Sequence, residues 1–298
     1  MSSTNSNSTT LSLARSARAA RPIQLLAKNK AASFRSAVWS HYRKNGRHDL
    51  PWRETKDPYK ILVSEVMLQQ TQVRRVRPFY LNFLESFPNV TALAEAPLSE
   101  VLRKWQGLGY NRRAKMLHQA AKTVVSKYGG IFPREVEKLE TLPGIGPYTA
   151  RALATFAFTA EEVFIETNIR TAILQHFFAR SVRKISDKQI LEVLEKVAPK
   201  GKAREWNYAL MDYGAHLKES GIKLNAKSTH YAKQSKFAGS NREARGAVLK
   251  ELTKSPQTTA RLLGLLGDDR TSQLQAALTA LLSEELIQKR GRVFTLPR

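Results

Sequence analysis

Two glutamates sit where a carboxyl group can do chemistry. Glu65 lies in Ile61-Leu62-Val63-Ser64-Glu65-Val66-Met67-Leu68 and is the only charge between Lys60 and Arg74. A helix this apolar is expected to be buried, and burial penalises the ionised carboxyl. Glu65 is therefore expected to keep its proton near neutral pH and to be able to give it to a leaving group. A buried carboxyl paired with an arginine or a backbone donor is the competing reading. Glu166 ends the apolar segment Val163-Phe164-Ile165 and opens an apolar-periodic helix running through Ile173 and Leu174 to Phe178. A carboxylate at a helix N-terminus is stabilised as the anion, so its pKa is expected to be normal or lowered. A plain helix cap is the alternative. One carboxyl held neutral and one held ionised form an acid/anion pair suited to glycosidic chemistry.

Other elements must position these groups. Asp57-Pro58 reads as an N-cap and first-turn proline, so the Glu65 helix starts there, with Ile61, Glu65 and Leu68 on one stripe. Ahead of it, Ser33 to Lys44 is helical, with Phe34, Val38, Trp39 and Tyr42 on one side. The loop from Gly46 to Arg53 follows, holding Leu50-Pro51-Trp52-Arg53. Trp52 there reads as packing or as the wall of a pocket for a flat aromatic ligand. A helix beginning at Thr71 or Gln72 presents Val73, Val76, Phe79, Tyr80, Phe83 and Phe87. Pro97 to Gln106 is helical and ends in Gly107-Leu108-Gly109-Tyr110-Asn111-Arg112-Arg113. An aromatic beside cations suits a wedge at an opened base step, with Arg112 and Arg113 on phosphates; a glycine C-cap and solvated basic turn explains it equally. Arg113 to Tyr128 forms the next helix, stopped by Gly129-Gly130.

The following unit is more specific. Pro133 to Thr141 reads as a helix, Leu142-Pro143-Gly144-Ile145-Gly146 as a turn, and Pro147-Tyr148-Thr149-Ala150 as the start of a second helix. In such a helix–hairpin–helix, backbone N–H groups at a helix N-terminus bind phosphate without reading base sequence. Two further helices are expected over residues 185 to 217.

Composition bounds the partners. The 298 residues carry a formal net charge of +24, which points to a polyanion, nucleic acid before membrane. No apolar run is long enough for a bilayer. With no cysteine, disulfides, thiolate-held iron–sulfur clusters and Cys-based zinc sites are excluded. The six histidines form no metal-binding pair, and there is no nucleotide-binding Gly-Lys-Ser/Thr loop. The chemistry expected is metal-free and carried by carboxylates. Residues 1 to 32, acid-free and rich in Ser and Arg, read as a disordered basic tail or an organelle transit peptide. Residues 218 to 240 read as a basic linker. Residues 241 to 298 read as a small winged-helix-like domain: helices over Arg242–Thr253, Gln257–Leu265 and Thr271–Ser283, then a hairpin within Leu286–Leu296 turning at Arg290-Gly291.

With these residues in view, residues 33 to 217 resemble the helix–hairpin–helix DNA glycosylases, and within them the adenine DNA glycosylases that act on adenine mispaired with 8-oxoguanine or guanine. The resemblance rests on Leu-Pro-Trp-Arg at 50–53, Ser-Glu-Val-Met-Leu-Gln-Gln-Thr-Gln-Val at 64–73, Gly-Leu-Gly-Tyr at 107–110 and Leu-Pro-Gly-Ile-Gly at 142–146. It implies a mostly α, two-lobed fold with DNA in a cleft between the lobes. It implies that Glu65 protonates the departing adenine, and that Leu50, Trp52, Arg53, Leu68 and Val73 form the adenine pocket. Gln70 and Tyr110 would enter the opened duplex, Asn168 would stand beside the second carboxylate, and Tyr148 would occupy the place of a catalytic lysine in lyase relatives. DNA contacts are expected from Gln69, Gln70, Thr71, Tyr110, Arg112, Arg113, Pro143, Gly144, Gly146 and Thr149. The expected enzyme is monofunctional, consumes water, acts as a monomer on mismatched double-stranded DNA, and resides in a bacterial cytoplasm, organelle import being the other option. A monovalent cation at the hairpin is the one ion left room for.

Three features depart from the family. Glu166 stands where an Asp is usual; its carboxylate reaches about 1.5 Å further, and displacement of ~1 Å can cost ~100-fold in rate. The cysteines that follow Met211-Asp212-Tyr213-Gly214-Ala215 in many relatives are replaced by basic residues from Lys218 to Lys227. The large C-terminal domain that recognises 8-oxoguanine is absent from this sequence. A glycosylase for T or U opposite G, and a mismatch-binding protein without catalysis, are the alternatives.

Overall fold

The computed structural model describes residues 29–229 and 236–297. Most of the expected basic tail, and the linker stretch 230–235, lie outside the described residues. The fold is mostly α, as expected, and divides into two compact units. Among the described residues, no helix is long and apolar enough to cross a membrane.

Unit 1 combines the start of the chain, to Arg47, with Val163–Tyr231. Helix α1 covers residues 29–45. In chain order the unit also holds α9 (Thr167–Phe177), α10 (Asp187–Val197) and α11 (Ala203–Glu219). Its core joins Phe34 and Val38 of α1 to Ile169 and Ile173 of α9 and Trp206 of α11, with the Phe34 and Trp206 rings edge to face at 6.1 Å. Asp212, 3% exposed, accepts the Arg47 backbone N–H at 2.9 Å and its Nε–H at 2.6 Å, tying the end of α1 to α11.

Unit 2 holds His48–Glu162 and the chain from Ala232 onward. A 3-10 turn, Pro51–Arg53, precedes α2 (Pro58–Leu68), whose residues Tyr59 and Ile61–Met67 are buried. Asp57 caps α2 by accepting from the Tyr59 and Lys60 N–H groups, as the Asp-Pro pair predicts. The helices α3 (Val73–Ser86), α4 (Val90–Glu95), α5 (Leu98–Trp105), α6 (Arg112–Tyr128), α7 (Val136–Glu140) and α8 (Pro147–Phe158) follow. Helix α2 packs on α3, α6 and α8. Helix α7 is shorter than the Pro133–Thr141 expected, because its first turn starts only at Glu135.

The C-terminal part holds α12 (Asn241–Leu252), α13 (Thr259–Leu266), α14 (Thr271–Ser283) and strands β1 (Gln257–Thr258), β2 (Gln288–Arg290) and β3 (Val293–Thr295). The hairpin pairs Arg290 with Val293, and the antiparallel sheet has order β1-β3-β2. Gln257 and Thr258, read as the start of a helix, instead form the third strand against Phe294 and Val293. This part belongs to unit 2: the Lys115 ammonium on α6, 7% exposed as a residue, donates to the Glu284 carbonyl at 2.7 Å and to Glu285 Oε2 at 2.6 Å.

Candidate active site

In unit 2 the apolar helix α2 buries Glu65 to 6% exposure. The Tyr148 phenol, from the first turn of α8, donates to Glu65 Oε2 at 2.8 Å. The hairpin makes this meeting possible. Gly144 has φ +74°, and a Cβ there would lie 2.5 Å from the Met116 Cβ, so conformation and space both require glycine. Gly146 then caps α8 with Pro147 at its first position, and both hairpin glycines are exposed. Pro143 is half-buried; Thr149 is buried, and Gln69 Nε2 donates to its Oγ1 at 3.5 Å.

Leu50 and Trp52 are buried, at 5% and 3% exposure, and the Trp52 ring meets Tyr80 edge-on at 5.3 Å. Packing therefore takes most of the Trp52 surface. Arg53, Leu68 and Val73 are half-buried.

Most of the residues expected to contact DNA converge, Gly146 and Thr149 being outside the groove lining. Gln69, Gln70, Thr71, Tyr110, Arg112, Arg113, Pro143 and Gly144 line one groove in unit 2, joined by Asn241, Arg242 and Arg245 of α12, which sequence reading did not implicate. Gln70 and Tyr110 both adopt left-handed backbone, φ 56° and 47°, which non-glycine residues rarely take. Both are exposed, and Arg242 Nη1 donates to the Tyr110 hydroxyl at 2.9 Å.

Arg112 is exposed, as a phosphate contact should be. Arg113 is corrected. Its Nη1 donates to the carbonyls of Val66 and Gln69 at 2.6 Å and of Met67 at 3.1 Å, and its Nη2 donates to the Gly109 carbonyl at 3.2 Å. It satisfies the C-terminal carbonyls of α2, so its two Nη groups are taken up by the fold. Burial lowers its pKa to about 10.

In unit 1, Glu166 caps α9: its Oε2 accepts from the Asn168 N–H at 2.6 Å and the Ile169 N–H at 3.4 Å. Its Oε1 accepts from Asn168 Nδ2 at 3.3 Å. Glutamate is not a favoured N-cap residue, yet here its side chain folds back to bond the first turn of its own helix. The expected normal or lowered pKa is also corrected. Solvent reaches part of the side chain, but protein surrounds the carboxyl on most sides, and desolvation pushes its pKa up against the N-cap bonds and the Lys218 charge.

Lys218, read as linker, belongs to the last turn of α11, and its Nζ donates to Asn168 Oδ1 at 2.7 Å. Its place is invisible locally, since the contact spans 50 residues. A thiolate-held iron–sulfur cluster does not fit this chain. It has no cysteine, and in the stretch that follows α11 lysines do the stapling: Lys227 Nζ donates to the carbonyls of Ala179 and Ser181 at 2.6 and 2.8 Å.

Residues 63–200 match the model of the HhH-GPD superfamily base excision DNA repair proteins. An adenine DNA glycosylase of Mycolicibacterium smegmatis is 36% identical over 264 residues, covering 82% of this chain and 89% of that protein. One from Buchnera aphidicola is 37% identical over 182 residues, covering 61% of this chain and about half, 52%, of that protein's length. Among solved structures, a thermostable thymine-DNA glycosylase superposes with TM-score 0.56 at 30% identity, over 63% of this chain and 87% of that one.

Proposed function

We propose a mispair for this chain, which belongs to the adenine DNA glycosylases of the HhH-GPD superfamily: adenine opposite 8-oxoguanine or guanine. The protein is a base-excision-repair DNA N-glycosylase acting on adenine, and DNA is its partner. The observation that carries the reading is the carboxyl of Glu65, buried in an apolar helix and oriented by the Tyr148 hydroxyl.

Two carboxyls divide the chemistry. The adenine must leave the base stack to be reached. Glu65 gives its proton to a ring nitrogen, so the base departs neutral as the C1′–N9 bond breaks. Glu166 faces the sugar cation as an anion, or bonds to C1′ transiently. Water then adds its oxygen to C1′, displacing Glu166 where it has bonded and giving up a proton that restores the Glu65 acid, which leaves an abasic site and free adenine. Tyr148 offers no amine, so no Schiff base with the sugar forms and the strand is left intact. The Gly144–Gly146 turn and the N-terminus of α8 hold a phosphate, and a monovalent cation, if one binds, would take the turn carbonyls. The protein works as a monomer in a bacterial cytoplasm, without an iron–sulfur cluster.

The test is single-turnover base release from duplexes carrying A opposite 8-oxoguanine, A opposite G, and T or U opposite G, with Glu65→Gln alongside. Adenine release that vanishes in Glu65→Gln is the expected result. Release of a pyrimidine alone would transfer the reading to T or U opposite G, an alternative that the similarity to a thymine-DNA glycosylase supports.

A further inference from the structure

Lys218 reaches Glu166 through one amide. Its ammonium donates to Asn168 Oδ1 at 2.7 Å, and Asn168 donates back to the Glu166 carboxyl from both Nδ2, at 3.3 Å, and the backbone N–H, at 2.6 Å. The amide cannot be turned over without losing both contacts: an ammonium only donates and a carboxylate only accepts, so the oxygen must face Lys218 and the NH2 must face Glu166.

The fold delivers this contact through Gly214. A Cβ there would lie 1.9 Å from the Asn168 carbonyl oxygen, so α11 touches the backbone of the first turn of α9. Lys218 stands four residues on, one turn along the same face of α11. A side chain at 214 would lift α11 from α9 and carry Lys218 away. The neighbouring charges on these elements have other partners: Arg170 pairs with Asp187, Asp212 with Arg47, and His216 stacks on His41 at 4.6 Å.

We propose that Lys218 is a positioning residue for Glu166, fixing the Asn168 amide and supplying the countercharge that keeps Glu166 an anion. The proposal rests on the reading that Glu166 meets the sugar cation. Burial raises the Glu166 pKa and lowers that of Lys218, and each group's charge opposes the other's shift. It also accounts for glutamate at this position: the longer carboxylate is drawn back by its cap bonds and held there by a clamped amide.

The experiment follows single-turnover adenine release against pH in wild type, Lys218→Met, Lys218→Gln and Lys218→Arg, together with the 13C NMR titration of the Glu166 carboxyl in each. Lys218→Met and Lys218→Gln should move the rising limb of the rate profile, and the Glu166 titration, upward by about one pH unit, which is about tenfold in rate on that limb. Lys218→Arg should restore both. Lys218→Gln keeps a polar donor, one bond shorter in reach, so it reports on the charge even if Lys218→Met folds poorly. Profiles and titrations that superpose on wild type overturn the proposal. If wild type releases no adenine, the glycosylase reading fails, and the titration alone still decides whether Lys218 sets the charge of Glu166.

Discussion

Tyr148 donates a 2.8 Å hydrogen bond to Glu65 across 83 residues of sequence, joining the first turn of α8 to the middle of α2. The bond helps to fix the rotation of a carboxyl buried in an apolar helix. Tyr148→Phe keeps the ring but removes this one donor from the carboxyl. Base release is expected to slow by about tenfold, with stability lower by about 1 kcal/mol. Glu65→Gln removes the proton donor and should slow release by at least ~100-fold with little change in melting temperature. Single-turnover rates and thermal unfolding of both variants measure these outcomes.

Glu166 caps α9 and, on the proposed reading, also serves the reaction. Glu166→Ala should lower stability by about 1 kcal/mol, read as a lower urea midpoint at unchanged m-value, and abolish release. Glu166→Asp retains a cap residue of a favoured type, so its midpoint should match or exceed wild type. Its rate then isolates the effect of carboxylate position.

The adjacent arginines should separate cleanly. Arg112 is exposed, and Arg112→Ala should leave stability within about 0.5 kcal/mol while reducing the salt dependence of DNA affinity by about one unit of slope. Arg113→Ala strips donors from the carbonyls of Val66, Met67 and Gln69 and should cost about 3 kcal/mol. Denaturation midpoints and fluorescence titrations at several salt concentrations distinguish the two roles; equal losses of stability would count against the capping role of Arg113.

Acid should loosen the fold before most carboxylates titrate. His41, His118 and His176 all have pKa values lowered from 6.5, chiefly by burial, with His216, Lys122 and Lys30 respectively adding repulsion. Between those folded values and 6.5 the unfolded chain binds more protons, so stability falls as pH drops through that window and is insensitive to these groups above it. Glu166 acts with the opposite sign: its raised folded value means that its protonation relieves destabilisation as pH falls toward 4.5. Melting temperature should therefore be lower at pH 5.5 than at pH 7.5, and His118→Gln should flatten part of that slope.

Much of the site was legible because its signals are local. An N-cap followed by proline started α2 at Pro58, a glycine pair stopped α6, and the Leu142–Gly146 turn with Pro147 opened α8. Caps, turns and helical periodicity act within a few residues, so the sequence carries them directly. The same reading placed a lone carboxyl in an apolar helix, and burial of Glu65 followed from the hydrophobicity of its own segment.

The remaining features belong to the tertiary structure. Whether Arg113 meets phosphate or carbonyl oxygens depends on the end of α2, more than forty residues away. The Glu166 pKa was misjudged because the helix terminus that favours its charge is local, whereas the desolvation that outweighs it comes from the surrounding protein. Lys218 reads as one more basic residue until Gly214 brings α11 against Asn168. Sequence alone determined which residues could serve as acid, anion and phosphate cradle, because those roles follow from residue type and local geometry. Only the folded chain decided which charges are desolvated and what they face, because electrostatics is set by neighbours in space.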